Sequence, residues 1–338
     1  MVFDLEQRLL KSKTNILEIQ SIMATWSKSP LYERASARTA NEKQTGGDNL
    51  LIVSELDERL NKRYREIRDA GERIHNLVED NRQSLQVDTN DPEVSEQWKA
   101  YIEYIDEMIT DGFYAIVQCD LEFFKQETDR KNNPEPLFQV LLEVQPPDMI
   151  FTPSIEPNAP DGFADFVDGL IANSYKQASL IPRLAKHLPH ANYQPDIQEM
   201  NSLTEIRHEI NDRVQHVISK AHEYQRSFDR YAYLWTDDRK EFMRQFLLYG
   251  HVLTPEEIQQ HALTGIPENP PTTAQFREQI DTYEAIYDEV EKIDSVQIYD
   301  KWFRIDARPF KQTLLNTVKK WSFMFKHWLI EHVTNRFD

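Results

Sequence analysis

The sequence predicts a mainly α protein, built as an elongated array of helical bundles with one small β-hairpin. Apolar residues recur at steps of three and four over long stretches, which is the spacing of one face of an α-helix. Glycine occurs 8 times in 338 residues, too rarely for the many turns of an all-β fold. The clearest strand signal is confined to residues 137–155, where two short apolar runs flank a turn.

The N-terminal part of the chain predicts a helical bundle over residues 1–128. Helical periodicity covers residues 2–26, 50–86 and 92–128. The polar segment 27–48 contains a Gly-Gly pair and predicts a flexible loop between the first two helices. A proline and a glutamate at the start of the third helix are typical of a helix N-terminus.

The next segment, residues 129–160, is predicted to be a β-hairpin connector. The runs LFQVLLEV and MIFTPSI lie on either side of Gln145–Asp148, whose two prolines favour a turn. Proline lacks the N–H that a central strand donates, so Pro153 predicts that the second strand lies at a sheet edge.

Residues 161–335 predict a second bundle around one long helix. An apolar stripe runs from Leu203 to Trp235, about 50 Å at 1.5 Å per residue, and Ser202 with Glu205 predicts a capping box at its start. Acceptors at residues 236–238 predict a new helix start, and a glycine in the left-handed conformation is expected at Gly250.

Further capped helices follow in this second bundle. Thr254 and Thr272 each precede a Glu or Gln by three residues, so both predict a capping box. Residues 296–306 alternate in part and predict an extended segment, and Pro309 opens the last helix.

Composition excludes several classes of function. The net charge of −18 repels the phosphates of nucleic acid. The sequence contains no run of 18 apolar residues, which is about the length that a membrane-spanning helix needs. Cys119 is the only cysteine, so no intrachain disulfide forms, and the composition suits a reducing cytoplasmic compartment.

No motif for nucleotide or cofactor chemistry is present in the sequence. A P-loop requires two glycines at a fixed spacing before Lys and Ser/Thr, and a dinucleotide fingerprint requires a glycine triplet. No glycines here have either spacing. We therefore predict no catalytic residue, no cofactor and no enzyme activity in this segment.

Histidines give a weak alternative, a metal-dependent enzyme. The His-Glu pairs at 208–209 and 222–223 lack the second histidine of a zinc protease. His187 and His190 bracket a proline in a turn, and His327 shares a helix face with a glutamate. The preferred interpretation is packing or surface histidines, so no metal site is predicted, and metal in the purified protein would support the alternative.

Aromatic residues are concentrated in the last third of the chain. A surface with aromatic anchors for a protein partner is one interpretation, and core packing between successive helices is the other. The basic flanks at 319–320 and 326 also suit a helix on a membrane surface, although a core helix with basic flanks is preferred. The candidate partner surface comprises Tyr233, Trp235, Phe242, Phe246, Tyr249, Trp302, Trp321 and Trp328.

Three long strings resemble dynein heavy chains, most closely the axonemal outer-arm β type. They are YLWTDDRKEFMRQFLLYGHVLTPEEI (233–258), GIPENPPTTAQFREQIDTYEAIYDEV (265–290) and WFRIDARPFKQTLLNTVKKWSFMFKHWLIEHVTN (302–335). Supporting stretches are QPPDMIFTPSIE (145–156), ASLIPRLAKH (178–187) and WKAYIEYIDEMITDGF (98–113). Weaker likeness continues through LNKRYREIRDAGERIH (60–75) toward the N-terminus, so the resemblance covers nearly the whole chain. The region resembled is the stem, or tail, that precedes the linker.

The resemblance implies a structural and assembly segment of a ciliary microtubule motor. In that family the stem carries intermediate, light or light-intermediate chains, contacts adjacent heavy chains and transmits force between the cargo anchorage and an AAA+ ATPase motor elsewhere in the chain. It implies a location in the axoneme of a cilium or flagellum, with neither nucleic acid nor membrane as partner. We expect the polypeptide to be a fragment or a truncated product. A free-standing helical adaptor that binds dynein subunits is the alternative, and the reading frame beyond Asp338 separates the two.

Overall fold

A computed structural model of the chain describes residues 2–28, 30–33, 56–132 and 136–334. Within these residues 69% of the chain is helical, which confirms the predicted mainly α class. Of the predicted loop 27–48, residue 29 and residues 34–48 lie outside the described residues. The helices are α1 (Val2–Trp26), α2 (Leu56–Ser84), α3 (Pro92–Glu127), α4 (Phe163–Lys176), α5 (Gln194–Gln198), α6 (Asn201–Arg226), α7 (Tyr233–Thr236), α8 (Arg239–Tyr249), α9 (Pro255–Thr264), α10 (Thr273–Glu291) and α11 (Arg308–Thr334).

The chain divides into two compact units. The first comprises residues 1–138, 156–217 and 300–303, and the second comprises residues 139–155, 218–299 and 304–338. The predicted divisions after residues 128 and 160 do not coincide with these boundaries, and they stay a prediction.

The first unit is built around α3. Helix α1 packs against α2 and α3, and α4 and α5 also pack against α3. Asp91 starts α3 by accepting a 2.9 Å hydrogen bond from the Glu93 N–H, as expected for an N-cap residue before a proline. One face of the middle of α3 is buried, with Ile109, Phe113 and Val117 at 0% exposure.

Two buried carboxylates on α3 hold the loops that cross it. Asp106 accepts hydrogen bonds from the N–H groups of Leu184 (3.1 Å) and Ala185 (2.9 Å) and from the Tyr193 hydroxyl (2.5 Å). Because each donor has its partner, burial of this carboxylate is compensated. The segment after α4 is therefore fixed to α3 by polar contacts as well as by packing.

Asp120 has the same role for the segment that follows α1. Its carboxylate accepts a 2.6 Å hydrogen bond from the Leu31 N–H and a 2.7 Å hydrogen bond from Gln177 Nε2. The neighbouring Tyr32 donates to the Leu170 carbonyl at 2.7 Å. Burial, the dominant influence, raises the Asp120 pKa from 3.8 to about 6.

The sheet is larger than the predicted hairpin. Strands β1 (Phe138–Gln145) and β2 (Asp148–Thr152) form that hairpin, with Gln145 opposite Asp148. Strands β3 (Val296–Tyr299) and β4 (Phe303–Asp306) join it in the order β2-β1-β4-β3. The edge position predicted for β2 is confirmed, and the segment predicted as extended supplies the two additional strands.

The long helix predicted from Leu203 to Trp235 is wrong in its extent, because α6 ends at Arg226. The Ser227 hydroxyl donates to the Tyr224 carbonyl at 2.6 Å, and the Phe228 N–H donates to the Gln225 carbonyl at 3.0 Å. A serine hydroxyl that takes a helix carbonyl competes with the next backbone donor. The turn so formed buries Phe228 against Phe310, with ring centroids 4.6 Å apart.

The capping box predicted at Ser202 is also wrong. Helix α6 already includes Asn201, and Ser202 Oγ donates to the Tyr114 hydroxyl at 3.2 Å. The predicted second helix start is confirmed, since Asp238 accepts from the Lys240 N–H at 2.8 Å. The glycine predicted to end that helix, Gly250, has φ of 75°.

The second unit contains α7 to α11. Helix α10 packs along α11, and α11 also contacts α7. Both predicted capping boxes are confirmed, at Thr254 for α9 and at Thr272 for α10. Helix α9 differs from its neighbours because none of its residues is buried.

Candidate partner-binding surface

The core of the second unit is built from aromatic rings on α8, α10 and α11. Trp321 lies at its centre, with ring centroids 4.8 Å from Phe242 and 5.6 Å from Tyr283. The Trp321 indole Nε1 donates a 3.0 Å hydrogen bond to the Leu234 carbonyl. A buried indole N–H needs such a partner, so this bond fixes α11 to α7.

Phe325 extends the aromatic core by one helical turn along α11. Its ring centroid lies 5.1 Å from that of Phe246 and 5.6 Å from that of Tyr283. Phe246 in turn contacts Phe276 edge to face at 5.1 Å. The rings favour edge-to-face and stacked contacts, and they position α8 and α10 on either side of α11.

The predicted partner surface divides into core and surface residues in the structure. Buried residues contact their own chain, so their aromatic rings are not open to a partner in this structure. Four are buried: Phe246, Tyr249, Trp302 and Trp321. Three are half-buried, Tyr233, Trp235 and Phe242, and Trp328 is exposed.

Trp302 is separate from the other seven because it belongs to the first unit. Its ring contacts Phe138 at 6.0 Å, and its carbonyl accepts hydrogen bonds from the N–H groups of Leu137 and Phe138. Its position is explained by packing. The role of the eight residues as a partner surface stays a prediction.

A surface groove of about 580 Å³ lies between α8 and α11, beside this aromatic core. We call it the α8–α11 groove. Its apolar side chains are Met243, Leu247, Phe323, Met324 and Trp328. Its basic side chains are Arg239, Lys240, Arg244 and Lys320.

The charge of this groove contrasts with that of the chain. The lining contains four basic residues and no acidic one, whereas the chain has a net charge of −18. Arg244 donates to the Glu241 carboxylate on its own helix, and this hydrogen bonding lowers the Glu241 pKa to about 2. In the part of the chain that the structure describes, the other three cations form no ion pair.

The sequence contained a signal for this groove that the aromatic pattern obscured. Residues at positions i, i+4 and i+8 share a helix face. In α8 and in α11 such a series has the same character, a basic residue, a methionine and a large apolar residue. The two series are Arg239, Met243, Leu247 and Lys320, Met324, Trp328.

The histidines of the metal alternative each contact a carboxylate. His187 Nε2 lies 2.5 Å from Glu103, His190 Nδ1 lies 2.9 Å from Asp196, and His327 Nε2 lies 3.3 Å from Glu331. Among the described residues, no three His, Cys, Asp or Glu side chains converge as metal ligands. No described helix combines the length and hydropathy of a membrane span.

Comparison with curated proteins identifies the family. The chain is 50% identical over 334 residues to the ciliary dynein beta chain of Tripneustes gratilla, an alignment that covers 99% of this chain. Over the same length it is 40% identical to human dynein axonemal heavy chain 9. The chain belongs to the axonemal dynein heavy-chain family. No family model matches it.

Similarity to dynein heavy chains extends to the flagellar outer-arm beta chain of Chlamydomonas reinhardtii, which is 24% identical over 340 residues. The chain spans about 7% of the length of the curated relatives it matches. The predicted resemblance and the predicted axonemal, cytoskeletal location are confirmed, since these dyneins are named as ciliary, flagellar or axonemal proteins.

Proposed function

We propose that this chain is a structural and assembly segment of a dynein heavy-chain stem, with no catalytic step of its own. It links accessory chains and neighbouring heavy chains to the motor of a ciliary microtubule-based complex. The partners proposed are dynein intermediate, light or light-intermediate chains and adjacent heavy chains. Neither nucleic acid nor membrane is proposed as a partner.

One observation carries this proposal: similarity to axonemal dynein heavy chains over 99% of the chain, in a sequence that lacks a P-loop. The helical fold supports it, because packed helices with exposed polar faces provide extended surfaces for partner chains. The basic α8–α11 groove supports it too, as a surface with both apolar and charged contacts for a protein.

Nucleotide titration tests the absence of catalysis. Calorimetry of the purified chain with Mg-ATP is expected to show no binding, since backbone amides of a glycine-rich loop are missing. Micromolar ATP binding would contradict the proposal. A full-length axonemal heavy chain provides the positive control.

Co-assembly tests the structural role. The chain is mixed with recombinant axonemal dynein intermediate chains, light chains and the neighbouring heavy-chain stem, and the mixture is analysed by sedimentation velocity. A complex containing this chain is expected. Sedimentation of the chain as a free species beside every one of these subunits would contradict the proposal.

A further inference from the structure

The α8–α11 groove exposes large apolar side chains that the chain's own core does not use. Phe323 is 70% exposed and Trp328 is 38% exposed, whereas Trp321 and Phe325 on the same helix are buried. Exposed rings of this size that line one groove mark binding surfaces more often than isolated apolar residues do. The groove therefore offers apolar area to a partner.

The shape of the groove fits a third helix. Its two walls are helices, and each presents a series at i, i+4 and i+8, the ridge that a further helix packs against. Methionine side chains adapt to a partner's surface because they are unbranched and polarizable. Met243 forms part of the buried floor and Met324 is half-buried beside it.

The charge of the groove selects the partner's chemistry. Arg239, Lys240 and Lys320 are unpaired within the described residues and border an apolar floor. A basic patch attracts an acidic partner, whereas two whole copies of a chain with a net charge of −18 repel each other. A simple anion satisfies the cations and leaves the five apolar side chains in water.

We propose that the α8–α11 groove binds an amphipathic helix of a partner chain, whose apolar stripe is flanked by acidic residues. The apolar stripe contacts Phe323, Met324 and Trp328, and the acidic flanks pair with the basic border. This is the helix-in-groove mode of recognition. The inference rests on the proposed function and deepens it, by giving one accessory-chain contact a location and a chemistry.

The test uses the full chain and a designed, fluorescently labelled helical peptide of about five turns. Its leucines recur at i, i+3, i+4 and i+7, and glutamates flank them. A second peptide carries lysine at each glutamate position. Fluorescence anisotropy is expected to show micromolar binding of the glutamate peptide and binding of the lysine peptide that is weaker by about tenfold or more.

Matched variants locate the binding site. Phe323→Ala and Lys320→Glu are each expected to weaken binding of the glutamate peptide about tenfold. Ile330→Ala removes a side chain that is 66% exposed on the same helix outside the groove. Arg277→Glu changes the net charge as Lys320→Glu does, on the exposed face of α10. Both controls are expected to bind like the wild type.

Three results of the peptide experiment overturn the inference: equal affinity for the two peptides, unchanged affinity in both groove variants, or displacement of the peptide by ATP or by phosphatidylserine vesicles. Sedimentation of the chain alone tests self-association through the groove. A monomer excludes self-association, whereas a dimer that Phe323→Ala abolishes overturns the proposal. A negative result in the peptide experiment does not decide whether the chain co-assembles with dynein subunits, which sedimentation of the mixture measures. The two proposals can therefore fail independently.

Discussion

Substitution of Asp120 tests whether a buried carboxylate really fixes the segment after α1 to α3. The ordinary pKa of 3.8 is raised to about 6 in the folded protein, chiefly by burial. The folded state therefore holds a proton that the unfolded state releases between about pH 4 and pH 6. Stability from this group is fully present below 3.8 and is lost as the pH rises through 6.

The size of the effect follows from the two pKa values. One pKa unit corresponds to about 1.4 kcal/mol, so the free energy of unfolding falls by about 3 kcal/mol across this window. Asp120→Asn removes the titration. An asparagine accepts from the Leu31 N–H as the carboxylate does. Its amide faces Gln177 Nε2, so the Gln177 amide must rotate to present Oε1, which is buried without a partner in the described residues.

Urea unfolding followed by circular dichroism measures this at a series of pH values. Asp120→Asn is expected to gain about 3 kcal/mol relative to the wild type between about pH 4 and pH 7. Asp111→Asn, on the exposed face of the same helix, is the matched control and is expected to follow the wild type. Parallel curves for Asp120→Asn and the wild type would refute the reasoning.

Three further predictions follow from the packing. Asp106→Ala leaves three buried donors without an acceptor and is expected to lower the free energy of unfolding by about 3 kcal/mol or more. Tyr193→Phe removes one of these donors and is expected to lower it by about 1 to 2 kcal/mol. Equal urea midpoints for the two variants would contradict this prediction. Trp321→Ala is expected to cost about 3 to 5 kcal/mol in the free energy of unfolding. Trp321→Phe is expected to cost less, because a phenyl ring keeps part of the packing although the indole hydrogen bond and some buried volume are lost. Thermal unfolding measures both, and a wild-type melting temperature for Trp321→Ala would exclude a central packing role. Thr272→Ala removes the cap of α10, which packs on α11, and is expected to lower the free energy of unfolding by about 1 kcal/mol. Thr254→Ala removes the cap of α9 and is expected to speed hydrogen exchange within α9 alone. A lower free energy of unfolding for Thr254→Ala would show that α9 supports the core.

Several parts of the fold were predictable because local chemistry determines them. Helix α8 begins after Asp238, whose side chain accepts backbone N–H groups, and it ends at Gly250, whose backbone adopts positive φ. Both ends are those that the two residue types predict. The capping boxes at Thr254 and Thr272 form as the three-residue spacing predicts. These signals need only a few neighbouring residues, and the one at Ser202 fails where the serine hydroxyl donates to the distant Tyr114 instead.

Other parts depended on contacts between residues distant in the sequence. The end of α6 has neither Gly nor Pro, and it is buried Phe228 packing on Phe310 that stabilises the turn. The turn between β3 and β4 lacks glycine, yet Asp300 and Lys301 adopt φ of 48° and 65°. Because residues other than glycine rarely adopt positive φ, this turn could not be predicted from its residue types.

The candidate site shows the same division. An aromatic count in the last third of the chain cannot separate core rings from exposed ones, and Trp321 and Trp328 differ in burial although they lie on one helix. The two residues are seven apart and share one face of α11, so their burial depends on how far along this face the neighbouring helices pack. The paired series that form the α8–α11 groove were present in the sequence, but they mean little until the two helices are known to be neighbours.

Cross-linking mass spectrometry of dynein complexes isolated from axonemes tests the central claim most directly. A lysine-reactive reagent reports neighbours of Lys240, Lys320 and Lys326 in the assembled complex. The proposed role predicts cross-links from these lysines to dynein intermediate, light or light-intermediate chains, or to an adjacent heavy chain. Peptides of this chain that are recovered from the complexes with no cross-link to any other subunit would contradict an assembly role for this segment.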